Sequence, residues 1–189
     1  MIEREIKWVI AQHEGTNHMY DKYLPYEFHL RMVANMASKF MYLMIPKNEL
    51  HPGNPMNIDL VLAAWGHDLI EDTRLSYNDV KETLGHNAAE IIYAVSNEKG
   101  KNRKERANEK YYEGIRKTKG AVFVKMCDRI ANVQYSKMTG SRIFEMYQKE
   151  NEEFCKPVSW ALTLCKAVSE TTCGKAVISL PKAGVVPYS

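Results

Sequence analysis

Trp65-Gly66-His67-Asp68-Leu69-Ile70-Glu71-Asp72-Thr73 is the stretch whose reading decides the fold. It closes an apolar run, Ile58 to Trp65, whose hydrophobic residues cover every face of a helix, the pattern of a buried one. A helix that apolar should not end in His67, Asp68, Glu71 and Asp72 without a reason, because isolated charges are costly to bury. Helical spacing supplies one. His67 and Glu71 are four apart, as are Asp68 and Asp72, and Asp68 and Glu71 are three apart, so a continuing helix projects all four toward one edge. Imidazole and carboxylate together suit a divalent cation, and the remaining carboxylates suit positioning or deprotonating a water. The plain alternative is a helix that reaches solvent and turns polar. The His-Asp pair by itself does not decide between them.

Composition bounds the class. At 189 residues the chain is long enough for one well-buried core and short for two domains. Charged residues make up 26% and hydrophobic residues 45%, ordinary for a soluble globular protein. A formal charge of +3 is too small to argue for nucleic acid or a membrane surface. Cys127, Cys155, Cys165 and Cys173 show no CxxC spacing and lie in or near apolar helical segments, which reads as reduced, buried thiols. Met1 to Ile10 is charged and amphipathic rather than a signal peptide, and no apolar run approaches a spanning helix. The expectation is a cytoplasmic protein.

The rest of the chain falls into helical segments. Ile2, Ile6, Val9 and Ile10 predict a first helix ending near His13-Glu14-Gly15, with Gly15 as its C-cap. Thr16 to Leu24 is a polar and aromatic loop, and Pro25 is placed to open the next helix. Leu30, Val33, Ala34, Ala37, Phe40, Met41 and Met44 form that helix's apolar stripe, with His29 beside it. Pro46 to Pro55 is a loop, after which Asn57 is expected to cap the central helix. Ser76-Tyr77-Asn78-Asp79 reads as a capping box for a short helix stopping at Gly85, and Ala88, Ile91, Ile92 and Val95 predict another. Lys99 to Lys119 holds nine Lys/Arg among 21 residues, interrupted by Tyr111 and Tyr112; a solvated helix and a phosphate-facing patch fit it equally. Val122 to Ser136 is helical, with Val124, Cys127, Ala131 and Tyr135 inward and Lys125, Asp128 and Asn132 on one face. Ile143 to Phe154 and Val158 to Val168 give two more helices separated near Pro157. From Gly174 an apolar, Gly/Pro-containing tail follows, readable as an edge strand, a strap or a subunit contact. Domain 1–173 with tail 174–189 is the expected division.

Taken together, His29, His67-Asp68 and Asp128, in the order H…HD…D on three helices, resemble the HD-domain metal-dependent phosphohydrolases. The resemblance is closer to the hydrolase domains of RelA/SpoT enzymes and the stand-alone small alarmone (ppGpp) hydrolases. Its carriers are His13-Glu14-Gly15, Pro25-Tyr26-Glu27-Phe28-His29, His67 to Thr73, Leu84-Gly85 and Val124 to Asn132. They are similar to the patterns HxGQ, PYxxH, HDxxEDT, FG and VKLADRxxN, the first and fourth only in part. The resemblance implies an all-α, single-domain HD bundle with a metal site at its centre. It implies His29, His67, Asp68 and Asp128 as ligands of one divalent metal, manganese, with Glu71 and Asp72 orienting and activating the attacking water. Asn132 matches the position that meets the ribose, and Lys125 the motif's lysine near the pocket.

This chain also departs from the family. The segment between Gly15 and Pro25 is longer than the usual GQxRKxGxPY and lacks its Arg-Lys pair, which helps hold guanine; Asn17, His18, Asp21 and Lys22 stand there instead, with Lys22 as the candidate replacement contact. Trp65-Gly66 replaces Leu-Leu and Cys127 replaces Ala, both read as packing changes. The functions left open are a (p)ppGpp 3′-pyrophosphohydrolase, an HD hydrolase of another nucleotide such as a dNTPase or 5′-nucleotidase, and a non-catalytic nucleotide-binding module. The expected partner is a small-molecule nucleotide, with no specific nucleic-acid binding, no membrane, no added synthetase domain and an open oligomeric state.

Overall fold

The structure, a computed structural model, describes residues 2–96 and 101–155. It folds them into α1 (Glu3–Gly15), α2 (Glu27–Phe40), α3 (Pro55–Gly66), α4 (Leu69–Asp72), α5 (Tyr77–Leu84), α6 (His86–Val95), α7 (Arg103–Arg106), α8 (Glu109–Lys117), α9 (Ala121–Met138) and α10 (Ile143–Cys155). Among the described residues the only β pairing is an isolated bridge between Met19 and Pro25. The expected helix over Val158–Val168, Cys165, Cys173, residues 97–100 and the tail 174–189 lie outside the described residues. No described helix is long and apolar enough to cross a membrane.

Helix α9 is the axis of the packing. It lies against α2, α3, α6, α8 and α10, and the side chains from Ala121 to Val124 together with Met126, Ile130, Ala131 and Val133 are buried. The inward side expected from the sequence holds for Val124, Cys127 and Ala131, while Tyr135 is half-buried. Opposite it, α2 buries Leu30, Val33, Ala34, Ala37 and Phe40. Each of these larger aliphatic or aromatic side chains adds roughly 1.5–3 kcal/mol when removed from water. The stripe continues past Phe40 through buried Met41, but there the helix tightens into a 3₁₀ turn, Met41–Leu43.

Three helix ends differ from expectation, and each has a local cause. Helix α1 runs through Gly15 to a cap at Thr16, and Asn17 rather than Gly15 takes the left-handed conformation, at φ 52°. Asparagine tolerates that region better than most residues. Helix α2 starts at Glu27, after Pro25 and a cap at Tyr26. Helix α3 is capped by Asn54, not Asn57: the Asn54 side chain accepts from Met56 N (2.9 Å) and Asn57 N (3.3 Å), with Pro55 in the first position. The Asn57 amide donates backward to His51 O at 3.1 Å. The Ser76–Asp79 capping box and the stop at Gly85 (φ 88°) form as the sequence predicts.

The largest departure is at the site. Helix α3 ends at Gly66, and Asp68, at φ −101° and ψ 3°, separates it from the single turn of α4. The expected unbroken helix through Asp72 therefore does not form. Gly66 explains the close packing there: a Cβ would lie 2.8 Å from Ile92 Cδ1 and 3.1 Å from both Leu69 Cδ1 and Leu84 Cδ1. The break turns His67 into the core while leaving Glu71 and Asp72 on the rim of a cleft.

Candidate metal centre

The donors come from three helical segments. His29 lies in the first turns of α2, His67 and Asp68 in the break after α3, and Asp128 midway along α9. His29 and His67 are each 2% exposed and Asp128 8%, so these polar groups sit inside the core. Their atoms converge. His29 Nε2 is 3.2 Å from His67 Nε2, 3.4 Å from Asp128 Oδ1 and 3.6 Å from Asp68 Oδ2. His67 Nε2 is 2.9 Å from Asp68 Oδ2 and 3.8 Å from Asp128 Oδ1. Donors about 2.1 Å from an octahedral divalent ion sit about 3.0 Å apart when adjacent and about 4.2 Å when opposite. The observed separations from His29 lie within that range, and the 2.9 Å between His67 and Asp68 sits at its lower edge.

The chemistry of the donor set also fits a cation. His67 Nδ1 lies 3.0 Å from Ala64 O, where it donates, leaving Nε2 to present its lone pair to Asp68, Asp128 and His29. Burial presses the His67 imidazole toward neutrality, but Asp68 and Asp128 outweigh it and lift its pKa to about 9. The Nε2 position thus calls for a positive partner, a proton or a metal ion. His29, His67 and Asp128 form a cluster able to hold such an ion, and Asp68 Oδ2 adjoins both imidazoles.

Other groups hold the donors. Tyr26 OH donates to Asp68 Oδ2. Lys125 Nζ lies 3.1 Å from Asp128 Oδ2, and Asn132 Nδ2 donates to Asp128 Oδ1 and, at 3.2 Å, to its backbone oxygen. The expected shared face of Lys125, Asp128 and Asn132 is therefore present. Burial would depress the Lys125 pKa, but Tyr111 and Asp128 raise it well above the ordinary value, so the side chain is a fixed cation.

A cleft of about 260 Å³ opens over these donors, lined among others by Glu71, Asp72, Arg106, Tyr111, Tyr112 and Tyr147. Burial, reinforced by Asp68, pushes the Asp72 carboxyl up to about 6. Arg106 Nη1 stands 3.9 Å from Glu71 Oε1, so part of the basic segment does face the cleft. A larger cavity of about 510 Å³ lies by Pro55, Asp59, Glu90 and Lys117, away from these donors, and among the described residues no cluster of metal-type ligands lines it.

Two placements differ from what motif matching suggests. Lys22 is exposed, its ammonium 5.1 Å from the Tyr23 ring, and it does not line the cleft. Asn132, at the cleft wall, has its carbonyl taken by Tyr20 OH at 2.9 Å. Sequence reading gave no role to Tyr20, Tyr26, His18 or Arg106. The signal for Tyr26 was there, three residues before His29 at helical spacing. Tyr20 and His18 lie in an aperiodic loop, where no spacing rule applies.

His18 belongs to an aromatic stack with a titration consequence. Tyr26 stacks on His18 (centroids 3.8 Å apart) and on His13 (4.7 Å), and His13 Nδ1 is 3.3 Å from His18 Nδ1. Burial drives the His13 pKa from 6.5 down to about 4. The folded state thus favours the neutral ring, and the unfolded chain binds the proton first as pH falls. Stability from this site is complete above pH 6.5 and is lost progressively toward pH 4, by about 3 kcal/mol at 1.36 kcal/mol per unit. Urea unfolding at pH 7.5 and 4.5 should show that the loss is smaller by roughly this amount in His13→Gln. An equal loss in both proteins would assign the acid sensitivity to other groups.

No protein-family model matches the chain. In sequence it is 22% identical over 129 residues to the guanosine-3′,5′-bis(diphosphate) 3′-pyrophosphohydrolase MESH1 of Danio rerio, a match covering 68% of this chain. That match spans 65% of the relative's length. Among solved structures, a metazoan ortholog of SpoT, described as hydrolyzing ppGpp and playing a role in starvation responses, superposes with a TM-score of 0.53 at 18% identity. That superposition covers 90% of this chain and 84% of the other. With the helices of its described residues and its His29–His67–Asp128 cluster, the chain has the fold of that metazoan ortholog of SpoT and is similar in sequence to a ppGpp pyrophosphohydrolase.

Proposed function

We propose that this chain is a metal-dependent nucleotide phosphohydrolase that removes pyrophosphate from the 3′ position of ppGpp-like nucleotides. The observation that carries this reading is the convergence of His29, His67, Asp68 and Asp128 beneath a cleft rimmed by carboxylates and cations. These four residues would hold one divalent ion, and manganese is the metal implied by the motif resemblance. When bound, the ion supplies Lewis-acid polarisation of a phosphoryl oxygen and acidification of water.

The remaining steps belong to the chain's own side chains. Glu71 and Asp72, on the cleft rim, would orient the attacking water and accept its proton. A carboxyl with its pKa near 6, as for Asp72, is closer to neutrality than an ordinary aspartate and so better matched to that task. Lys125 and Arg106 would face the phosphates and stabilise the charge that grows on them. Tyr112 and Tyr147, half-buried at the cleft, would offer rings on which a base can stack.

The experiment is a nucleotide panel incubated with the manganese-loaded protein, the products resolved as pyrophosphate, triphosphate or orthophosphate. Pyrophosphate from the 3′ position is the expected result. Triphosphate from dNTPs or orthophosphate from monophosphates would replace this reading with that of another HD nucleotide hydrolase, and binding without turnover would leave a nucleotide-sensing module.

Base preference should be weak. With Lys22 turned outward and no Arg-Lys pair in the 17–22 loop, the cleft offers aromatic stacking, which accepts any base. Strong discrimination needs hydrogen bonds that only one base completes. Guanine and adenine forms of the best substrate are expected to differ by less than about 100-fold in kcat/KM, about 2.7 kcal/mol. Competition kinetics on the matched pair measures this, and a guanine preference of about a thousandfold or more would show that another residue reads the base.

A further inference from the structure

The long loop between α1 and α2 is held as a rigid turn. Asp21 Oδ1 accepts from Tyr23 N (2.8 Å) and Leu24 N (2.9 Å), and Tyr20 N donates to Leu24 O at 2.9 Å. The Met19–Pro25 bridge closes its base. On its other side it is fastened to α9 at two points one turn apart: Tyr135 OH donates to Asp21 Oδ2, and Tyr20 OH donates to Asn132 Oδ1. The loop therefore delivers Tyr20 to a fixed place beside the metal centre.

There Tyr20 touches one of the proposed ligands, His29, directly and reaches a second, Asp128, through Asn132. Its ring stacks on His29 with centroids 4.8 Å apart and planes 11° from parallel. Its hydroxyl holds the carbonyl of Asn132, which orients the amide so that Nδ2 points at Asp128. An unheld primary amide can rotate half a turn and present oxygen to the Asp128 carboxylate, which would repel it. We infer that Tyr20 is a positioning residue for the metal centre, acting through Asn132 to fix the Asp128 carboxylate. In this chain Asn132 serves the ligand set through both donated bonds, rather than standing ready for a sugar hydroxyl. The inference rests on the metal-binding reading above. Outer groups that hold metal ligands typically set affinity by 10–100-fold.

The test measures manganese dissociation constants by chelator competition for the wild type, His67→Ala, Tyr20→Phe, Asn132→Ala and the Tyr20→Phe/Asn132→Ala double variant, with the melting temperature of each taken with and without manganese. Tyr20→Phe keeps the ring on His29 and removes only the hydroxyl. It should weaken manganese binding about 10–100-fold and shrink the manganese-induced rise in melting temperature, with the metal-free melting temperature close to wild type. A merely structural hydroxyl would instead lower the metal-free melting temperature and leave the manganese increment alone. In the Asn132→Ala background, Tyr20→Phe should change affinity by less than about twofold, since a relay already cut cannot be cut again. Equal losses in both backgrounds, or no loss in either, overturns the inference. If the wild type and His67→Ala bind manganese alike, the metal-centre reading itself fails, a result distinct from a Tyr20→Phe protein that binds as the wild type does while His67→Ala does not.

Discussion

Replacing Asp128 or His67 by alanine is expected to remove bound metal and hydrolysis together, and to destabilise the fold as well. Asp128 is the point where Lys125, Asn132 and both histidines meet. Without it, Lys125 keeps its charge in a largely buried position with its carboxylate partner gone, and breaking such a pair costs about 3–5 kcal/mol. His67→Ala opens a cavity in a place only 2% exposed and leaves Ala64 O without its donor. An ion that binds only the folded state adds stability that grows with the logarithm of its concentration over Kd, so both variants should also lack the upward shift in melting temperature expected of the wild type with manganese. Elemental analysis of purified variants gives the decisive reading. Undiminished metal in either would mean that the ion lies elsewhere. The loss should exceed that from removing any other polar group in the cleft, because a missing ligand removes the ion and unpairs its neighbours at once.

What could be read in the chain depended on whether periodicity or geometry encodes it. Helices α5, α6 and α9 follow from apolar spacing and from caps that act over three residues, such as Ser76 with Asp79. His29, His67 and Asp128, the cluster able to hold an ion, were legible because each lies in a short motif whose spacing is local. The break between α3 and α4 was not. Nothing in Gly66-His67-Asp68 forbids helix, and the close packing of Ile92 and Leu84 on Gly66 at the break comes from residues distant in the chain. The cap at Asn54 was missed for a simpler reason: both Asn54 and Asn57 suit a cap, and only Pro55 in the first helical position favours the earlier one. Lys22 shows the limit of analogy. A cation in the segment where the family keeps its base-holding pair is not thereby in the cleft, because Asp21 turns the chain and leaves Lys22 facing solvent. Tyr20, two residues earlier, is a side chain that the loop does bring to the site, and its bond to Asn132 bridges segments far apart in sequence.

Glu71→Gln should separate binding from chemistry. Glu71 and Asp72 occupy the single turn of α4 that follows the break, and both line the cleft above the donors. Neither is needed to complete the two-nitrogen, two-oxygen donor set, so glutamine at 71 should leave manganese content and nucleotide affinity near wild type. The amide keeps the size and hydrogen-bonding reach of the side chain but cannot take a proton from water. Turnover should therefore fall by about 10²–10⁴-fold, the usual share of general-base catalysis, with KM little changed. The loss of charge also relieves Arg106, 3.9 Å away, of its counter-ion, which favours phosphate binding if it alters binding at all. Pre-steady-state turnover with saturating manganese, alongside equilibrium binding of a non-hydrolysed nucleotide, reads both quantities. Activity within a few-fold of wild type would transfer the base role to Asp72, whose carboxyl, already lifted to about 6 by burial and by Asp68, is the other group in the cleft able to hold a water's proton near neutral pH.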